Sequence, residues 1–238
     1  MRNLSDTTVV ILAGGMGTRL RSVVSDCPKV LAKIFKRPFL TILLDQLVSA
    51  GANEVVLCTG YMGDKVYKKI GKEYRTLRLL YSKEDKPLGT GGALKHAIPY
   101  VDSEYFLVMN GDSYINVDLS DFLHWHITIN SQVSIILTRV HDASRYGKVT
   151  FAQDGQILSF EEKGVKSGSA WINAGVYLLN NEMLKFLPKE NSFSLEREYF
   201  PFLVGKGLYG YKTNGHFIDI GTPESFEEAE KHLSQLIN

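Results

Sequence analysis

Apolar residues fall along the chain in short blocks separated by glycines and charged turns. Residues 9–13 (VVILA) form a continuous run rich in β-branched side chains, the pattern of a strand buried on both faces. The run breaks at Gly14-Gly15-Met16-Gly17. Residues 38–50 carry Phe39, Leu40, Leu43, Leu44 and Leu47 at helical spacing before Gly51, and so predict a helix with a glycine stop. Residues 54–59 and 105–109 repeat the buried-strand pattern, and 77–81 and 133–139 add two more strands. Residues 64–74, 90–98 and 119–130 read as helices. Strands and helices alternating at this spacing predict an α/β fold with a mostly parallel sheet and helices on both faces.

Beyond about residue 145 the pattern changes. Short strand candidates at 148–151, 157–160 and 174–179 are joined by polar or Asp-Gly turns, and 181–186 and 195–203 look helical. A strand at 217–220 and a helix at 224–236 close the chain. Nothing rich in Pro, Gly or Ser divides it, so one domain over 1–238 is expected, with residues 141–238 forming a small lobe on the same sheet as residues 1–140.

Composition narrows the partners. The 238 residues are 44% hydrophobic, enough to bury a real core. Lys+Arg number 27 against 26 Asp+Glu, and a net charge of +1 supplies no global field for nucleic acid or an anionic membrane. Anion binding must therefore come from a few local cations and backbone amides. Two cysteines, Cys27 and Cys58, suit a reducing compartment, and the polar residues 1–8 have no leader character, so a cytoplasmic protein is expected. The apolar runs are too short to span a bilayer.

Five segments carry candidate chemistry. The first is Leu12-Ala13-Gly14-Gly15-Met16-Gly17-Thr18-Arg19, followed by Pro28-Lys29. It lies at the carboxyl end of a buried strand, where open α/β sheets bind ligands. Glycines there let the backbone approach phosphate oxygens, Arg19 adds a planar fork and Lys29 a point charge. A dinucleotide fingerprint is excluded because Leu20 stands where its third glycine belongs, and no Gly-Lys-Ser/Thr is present. The second is Asn110-Gly111-Asp112, a strand-end carboxylate suited to a metal, although taken alone it reads more readily as a turn with Asp112 as a helix cap. The third is Phe217-Ile218-Asp219-Ile220-Gly221-Thr222-Pro223, where a carboxylate among apolar neighbours needs a cation or a metal. The fourth is Phe160-Glu161-Glu162-Lys163, by itself an ordinary charged turn. The fifth is Pro87-Leu88-Gly89-Thr90-Gly91-Gly92, glycines at a helix start that offer an anion or base platform. His124 and His126, two apart on a helix, face different ways and are poor joint ligands.

GGMGTRL with a downstream PK resembles the signature of the sugar-1-phosphate nucleotidyltransferases, and the resemblance extends from Val9 to about Leu233. It implies the Rossmann-like nucleotide-diphospho-sugar transferase fold, with a nucleotide-binding half (about 1–140) and a sugar-phosphate-binding half (about 141–238). It implies catalytic roles for Arg19, Lys29, Asp112 and Lys163. Leu12, Ala13, Gly14, Gly15, Gly17, Thr18, Gly89, Thr90 and Gly111 would hold the nucleotide, the loop at 87–94 lying along the base. Tyr146, Gly147, Glu162, Lys163, Asn173 and Gly175 would line the sugar phosphate, and Asp112 and Asp219 would hold Mg²⁺. The segments at 194–201 and 205–221 look most like the heptose branch, the D-glycero-α-D-manno-heptose 1-phosphate guanylyltransferases, with the mannose-1-phosphate guanylyltransferases close behind. The implied partners are GTP and a sugar 1-phosphate, the product serving surface polysaccharide synthesis, and a homodimer is left open.

Two other classes fit the sequence less well. A metal-dependent glycosyltransferase would show Asp-x-Asp where this chain has Asn-Gly-Asp-Ser. A nucleotide-sensing regulatory paralogue could lose Arg19, Lys29 or an aspartate, and all four are present.

Overall fold

The computed structural model describes residues 3–161 and 168–233. Its centre is a run of parallel strands. Thr8–Leu12 (β1) pairs with Glu54–Thr59 (β4) on one side and Tyr105–Asn110 (β7) on the other, and β4 pairs in turn with Leu77–Lys83 (β6). Between β1 and β4 lie the small ribbon Lys33–Ile34 (β2) and Arg37–Pro38 (β3), then helix Phe39–Ser49 (α1). Helix Gly63–Ile70 (α2) and strand Glu73–Tyr74 (β5), which pairs antiparallel with β6, follow β4. Helix Gly89–Ala97 (α3) leads into β7, and Ser113–Ile115 (β8) and helix Leu119–Thr128 (α4) follow it.

The second half extends the same sheet with antiparallel pairs. Ala170–Asn180 (β12) is the hub: it pairs with β7, with Val133–Val140 (β9), and at Ile172 with Lys148–Phe151 (β10). Ile157–Glu161 (β11) closes one edge against β10, and Leu208–Thr213 (β13) runs parallel to β9. Among the described residues the sheet has ten strands. A short helical stretch, a π-turn over Leu195–Tyr199 continued by Phe200–Leu203 (α5), packs beside α3. Phe217–Asp219 (β14) pairs with β8 in a separate two-stranded ribbon, and Pro223–Leu233 (α6) ends the described chain.

Strand alternation explains the double burial. Val9, Ile11, Val55, Leu57, Leu107 and Met109 join the core on one face, while Val10, Val56, Cys58, Phe106 and Val108 join the core on the other. Both faces of the parallel strands are covered, so each strand reads as a solid apolar run rather than as an alternation.

Two expectations need correction, and two strands were not expected. The helix expected over 64–74 ends at Ile70, because Gly71 takes φ +86° as a left-handed stop, and Glu73–Tyr74 is strand. The strand over 208–213 and the ribbon strand over 113–115 had no sequence expectation. His126, for which a surface or partly buried structural role is expected, is wholly buried with Nδ1 2.7 Å from Ser134 Oγ, and burial lowers its pKa to about 4. Cys27 and Cys58 are free thiols whose pKa values are raised, chiefly by burial. Among the described residues no helix is long and apolar enough to cross a membrane.

Candidate active site

The carboxyl ends of β1, β4, β6 and β7 meet at one rim. Ala13 N–H donates to the Cys58 carbonyl (2.8 Å), Glu84 N–H to Thr59 (2.8 Å) and Gly111 N–H to Leu12 (3.0 Å), so each loop leaves the sheet in a fixed register. A cleft of about 420 Å³ opens above this rim. Leu12, Ala13, Gly14, Gly15, Gly17, Thr18, Lys29, Gly89, Thr90 and Asp112 all line it. Gly111 sits just beneath, where a Cβ would lie 2.8 Å from the Leu12 carbonyl oxygen.

Lys29 is held by its neighbours. Pro28 enters in extended conformation, and Val30 and Leu31 anchor the following 3₁₀ turn in the core. The ammonium is thereby carried to Asp112, Nζ to Oδ2 2.6 Å, with the lysine side chain 10% and the aspartate 43% exposed. Asp112 in turn leads into β8, whose partner β14 carries Asp219 opposite Ser113. Ile220 N–H donates to the Asp112 carbonyl (3.0 Å), so carboxylates 107 positions apart in sequence, 219 less 112, sit on touching backbone.

Asp219 is fully engaged. Its Oδ2 accepts from Arg145 (2.8 Å) and from the Tyr146 hydroxyl (3.1 Å), and its Oδ1 from Gly221 N–H (2.6 Å). Burial and the Asp219 charge push the Tyr146 phenol up, so it stays a donor. Each aspartate therefore faces one cation, Lys29 or Arg145. Mg²⁺ takes one or two carboxylates and keeps water and phosphate in its remaining positions, so Asp112 and Asp219 are donors of the kind it accepts. Among the described residues no group of three or more His, Cys, Asp or Glu gathers as a metal cage.

Glu84 was not anticipated. It sits in the charged run Lys83-Glu84-Asp85-Lys86, which looks like a solvated turn, yet it is half-buried in the cleft wall. Its Oε2 accepts from Leu88 N–H (2.9 Å), and its Oε1 lies where a Cβ on Gly14 would be, 1.9 Å away. Burial raises its pKa, opposed by the Leu88 hydrogen bond. Arg145 was missed as well. It directly precedes the expected Tyr146, and only the tertiary pairing with Asp219 singles it out.

The glycines at 89–92 serve a different purpose from the one expected. A Cβ on Gly91 would lie 2.0 Å from the Phe193 ring, and one on Gly92 2.3 Å from the Asn191 carbonyl. The N–H groups of Gly91 and Gly92 donate to Phe193 O (3.0 and 3.3 Å). At the first turn of α3 these amides are spent on protein, so they offer no free anion platform. Gly89 and Thr90 still face the cleft.

The other expected residues are placed as follows. Arg19 is exposed and lies off the cleft lining. Gly147 precedes β10 directly beside Tyr146. Asn173 and Gly175 form an irregular step in β12, Gly175 N–H donating to Asn173 Oδ1 (2.8 Å), where a Cβ on Gly175 would meet Ser113 Oγ at 2.6 Å. Glu162 and Lys163 lie outside the described residues.

A strand-end glycine loop, an anchored lysine and Asp112 around one cleft, with Asp219 on the adjoining ribbon, invite comparison with known proteins. The family model of nucleotidyl transferases matches residues 8–235. The chain belongs to that family. It is 36% identical over 229 residues to D-glycero-α-D-manno-heptose 1-phosphate guanylyltransferase of Aneurinibacillus thermoaerophilus, covering 96% of this chain and 99% of that relative. It is 34% identical to mannose-1-phosphate guanylyltransferase of Mycobacterium tuberculosis, covering 94% of this chain and 64% of that longer protein. The crystal structure of HddC from Yersinia pseudotuberculosis complexed with GMP-PN superposes with a TM-score of 0.84 at 34% identity, covering 95% of this chain and 99% of that one. These likenesses bear out the α/β fold with its mixed, mostly parallel sheet, and place the chain among enzymes of nucleotidyl transfer.

Proposed function

We propose that this nucleotidyl transferase moves a guanylyl group from GTP to D-glycero-α-D-manno-heptose 1-phosphate and releases pyrophosphate. The observation that carries the reading is the meeting of the glycine loop and the Lys29–Asp112 pair in one cleft, with Asp219 on the strand paired beside Asp112. The heptose enzyme is preferred over the mannose enzyme because the chain is 36% identical to the former and 34% identical to the latter, and because it superposes on HddC with a TM-score of 0.84.

The attacking sugar phosphate is ionised at neutral pH, so the residues need supply no general base. Their task is to bring two anions together and to offset charge on the leaving oxygen. Backbone amides of the loop at 14–18 approach the triphosphate, and Lys29 offers its ammonium to phosphate at the reacting centre. Arg19, exposed beside the loop, meets the leaving pyrophosphate. Tyr146, Gly147, Asn173 and Gly175, with Glu162 and Lys163, take the sugar phosphate side. Asp112 and Asp219 would hold Mg²⁺, which when bound neutralises phosphate charge. Glu84 matches guanine: a carboxylate accepts from N1–H and N2–H₂, a donor pair that uracil and thymine lack.

The test is a pyrophosphate-release assay crossing GTP, ATP, UTP and dTTP with heptose, mannose, glucose and N-acetylhexosamine 1-phosphates. GTP with the heptose should turn over fastest. A faster reaction with mannose 1-phosphate would move the substrate assignment, and release with no pair would overturn the enzyme reading.

A further inference from the structure

The base-side loop and the sugar-side strand end are joined beneath the cleft by a single carboxylate. Glu196, in the π-turn after Ser194, accepts on one oxygen from the Thr90 hydroxyl (2.6 Å) and the Ser194 hydroxyl (2.9 Å). Its other oxygen accepts from the Tyr177 hydroxyl (3.1 Å). Tyr177 is fully buried, and its one hydroxyl accepts in turn from Asn173 Nδ2 (3.0 Å) and Asn110 Nδ2 (3.3 Å). Thr90 lines the cleft, Asn110 leads into Gly111-Asp112, and Asn173 lies on the β12 step. Thr90 Oγ1 also accepts from Leu195 N–H (2.9 Å), so the loop is held to this turn from both partners.

The chain of bonds has one consistent direction. The tyrosine has one hydrogen and gives it to Glu196, which frees its lone pairs for two amides. A carboxylate is the one side chain of this size that takes three hydroxyl hydrogens and needs none in return. π-turns interrupt helices and are found often at functional sites, and this one places Glu196 between the two walls.

We propose that Glu196 is a positioning residue that couples the nucleotide-side loop at Gly89–Thr90, through Tyr177, to Asn173 on the sugar side and to Asn110, which leads into Asp112. Ordering of either wall by its ligand then orders the other, so each substrate improves the binding of its partner. The inference rests on the two-substrate reading above, and its test separates the two.

Nucleotide affinity would be measured with guanosine 5′-(α,β-methylene)triphosphate, which cannot transfer, with and without heptose 1-phosphate. In the wild type the sugar phosphate should tighten the nucleotide about fivefold or more. In Glu196→Gln, which keeps the shape but turns one acceptor into a donor, and in Tyr177→Phe, the ratio should fall to within about twofold of one. The double variant should lose no more than either single one, the sign of a shared link. A wild-type ratio near one, or variants that keep the wild-type ratio, would overturn the proposal. Hydrogen exchange on the ligand-free protein reads the same link without any substrate. Glu196→Gln should speed exchange in both the 88–92 and the 110–115 segments, and acceleration confined to 193–199 would show a merely local role. A wild type that binds neither ligand refutes the functional reading instead, and exchange alone then decides the role of Glu196.

Discussion

Two glycine clusters border the cleft, and they do opposite things. In the loop at 14–17, Gly15 is exposed with nothing within 4 Å of an added Cβ, and Gly17 needs its left-handed φ of +58°. That backbone is open toward the cleft. In the turn at 89–92, Gly91 and Gly92 are buried against residues 191–193, and their amides are bonded there. Gly15 is bare so that a ligand can approach, although Gly14 beside it already meets Glu84; the second cluster is bare because the protein fills its space. A run of glycines in a sequence announces close approach and leaves open what approaches.

The contrast can be broken in order of size. On the open side, Lys29→Met keeps the stem and deletes the charge, and Asp112→Asn deletes its partner. Either should lower turnover about 10²–10³-fold, a barrier of roughly 2.7–4 kcal/mol, in a pyrophosphate-release assay. Because Asp112 is 43% exposed, melting should move little in comparison.

Glu84 touches both clusters, reaching Gly14 with one oxygen and Leu88 with the other. Glu84→Gln should cost GTP about ten- to a hundredfold in kcat/KM relative to UTP, the range for a hydrogen bond to a charged group. It has a pH signature too. Burial raises the Glu84 pKa, so the folded chain holds a proton that the unfolded chain has released. Stability from this group therefore falls as pH rises from the ordinary glutamate range through the raised pKa. Melting curves over that range should show the fall in the wild type and lack it in the glutamine variant.

On the closed side, Gly92→Ala would push a methyl against the Asn191 carbonyl, which is backbone and cannot turn away. A loss of about 1–3 kcal/mol is expected, at about 2–4 °C of melting temperature per kcal/mol. Gly15→Ala should change stability by no more than about 0.5 kcal/mol while weakening nucleotide binding. Equal unfolding by the two alanines would erase the distinction.

Much of the fold was legible because parallel strands buried on both faces leave solid apolar runs, as at β1, β4 and β7. The strand over Leu208–Thr213 was not, since Gly207 and Gly210 break its pattern. Nor was β8, a three-residue strand too short for a period to show, although its partner β14 was expected over 217–220. The candidate site divides in the same way. Glycines, Lys29 and the two aspartates stand out by local context. Glu84, Arg145 and Glu196 look like surface charges until the chain folds and gives each a partner far away in sequence.

The β8–β14 ribbon also sets an order of events. Asp112 is made 107 positions (219 less 112) before Asp219, with β9 to β13 between them. A nascent chain could complete the parallel strands and the glycine loop while one of the two carboxylates was still being translated. The rim closes only when the final strand docks, so a truncated product would keep much of the sheet and lack half of the paired acid.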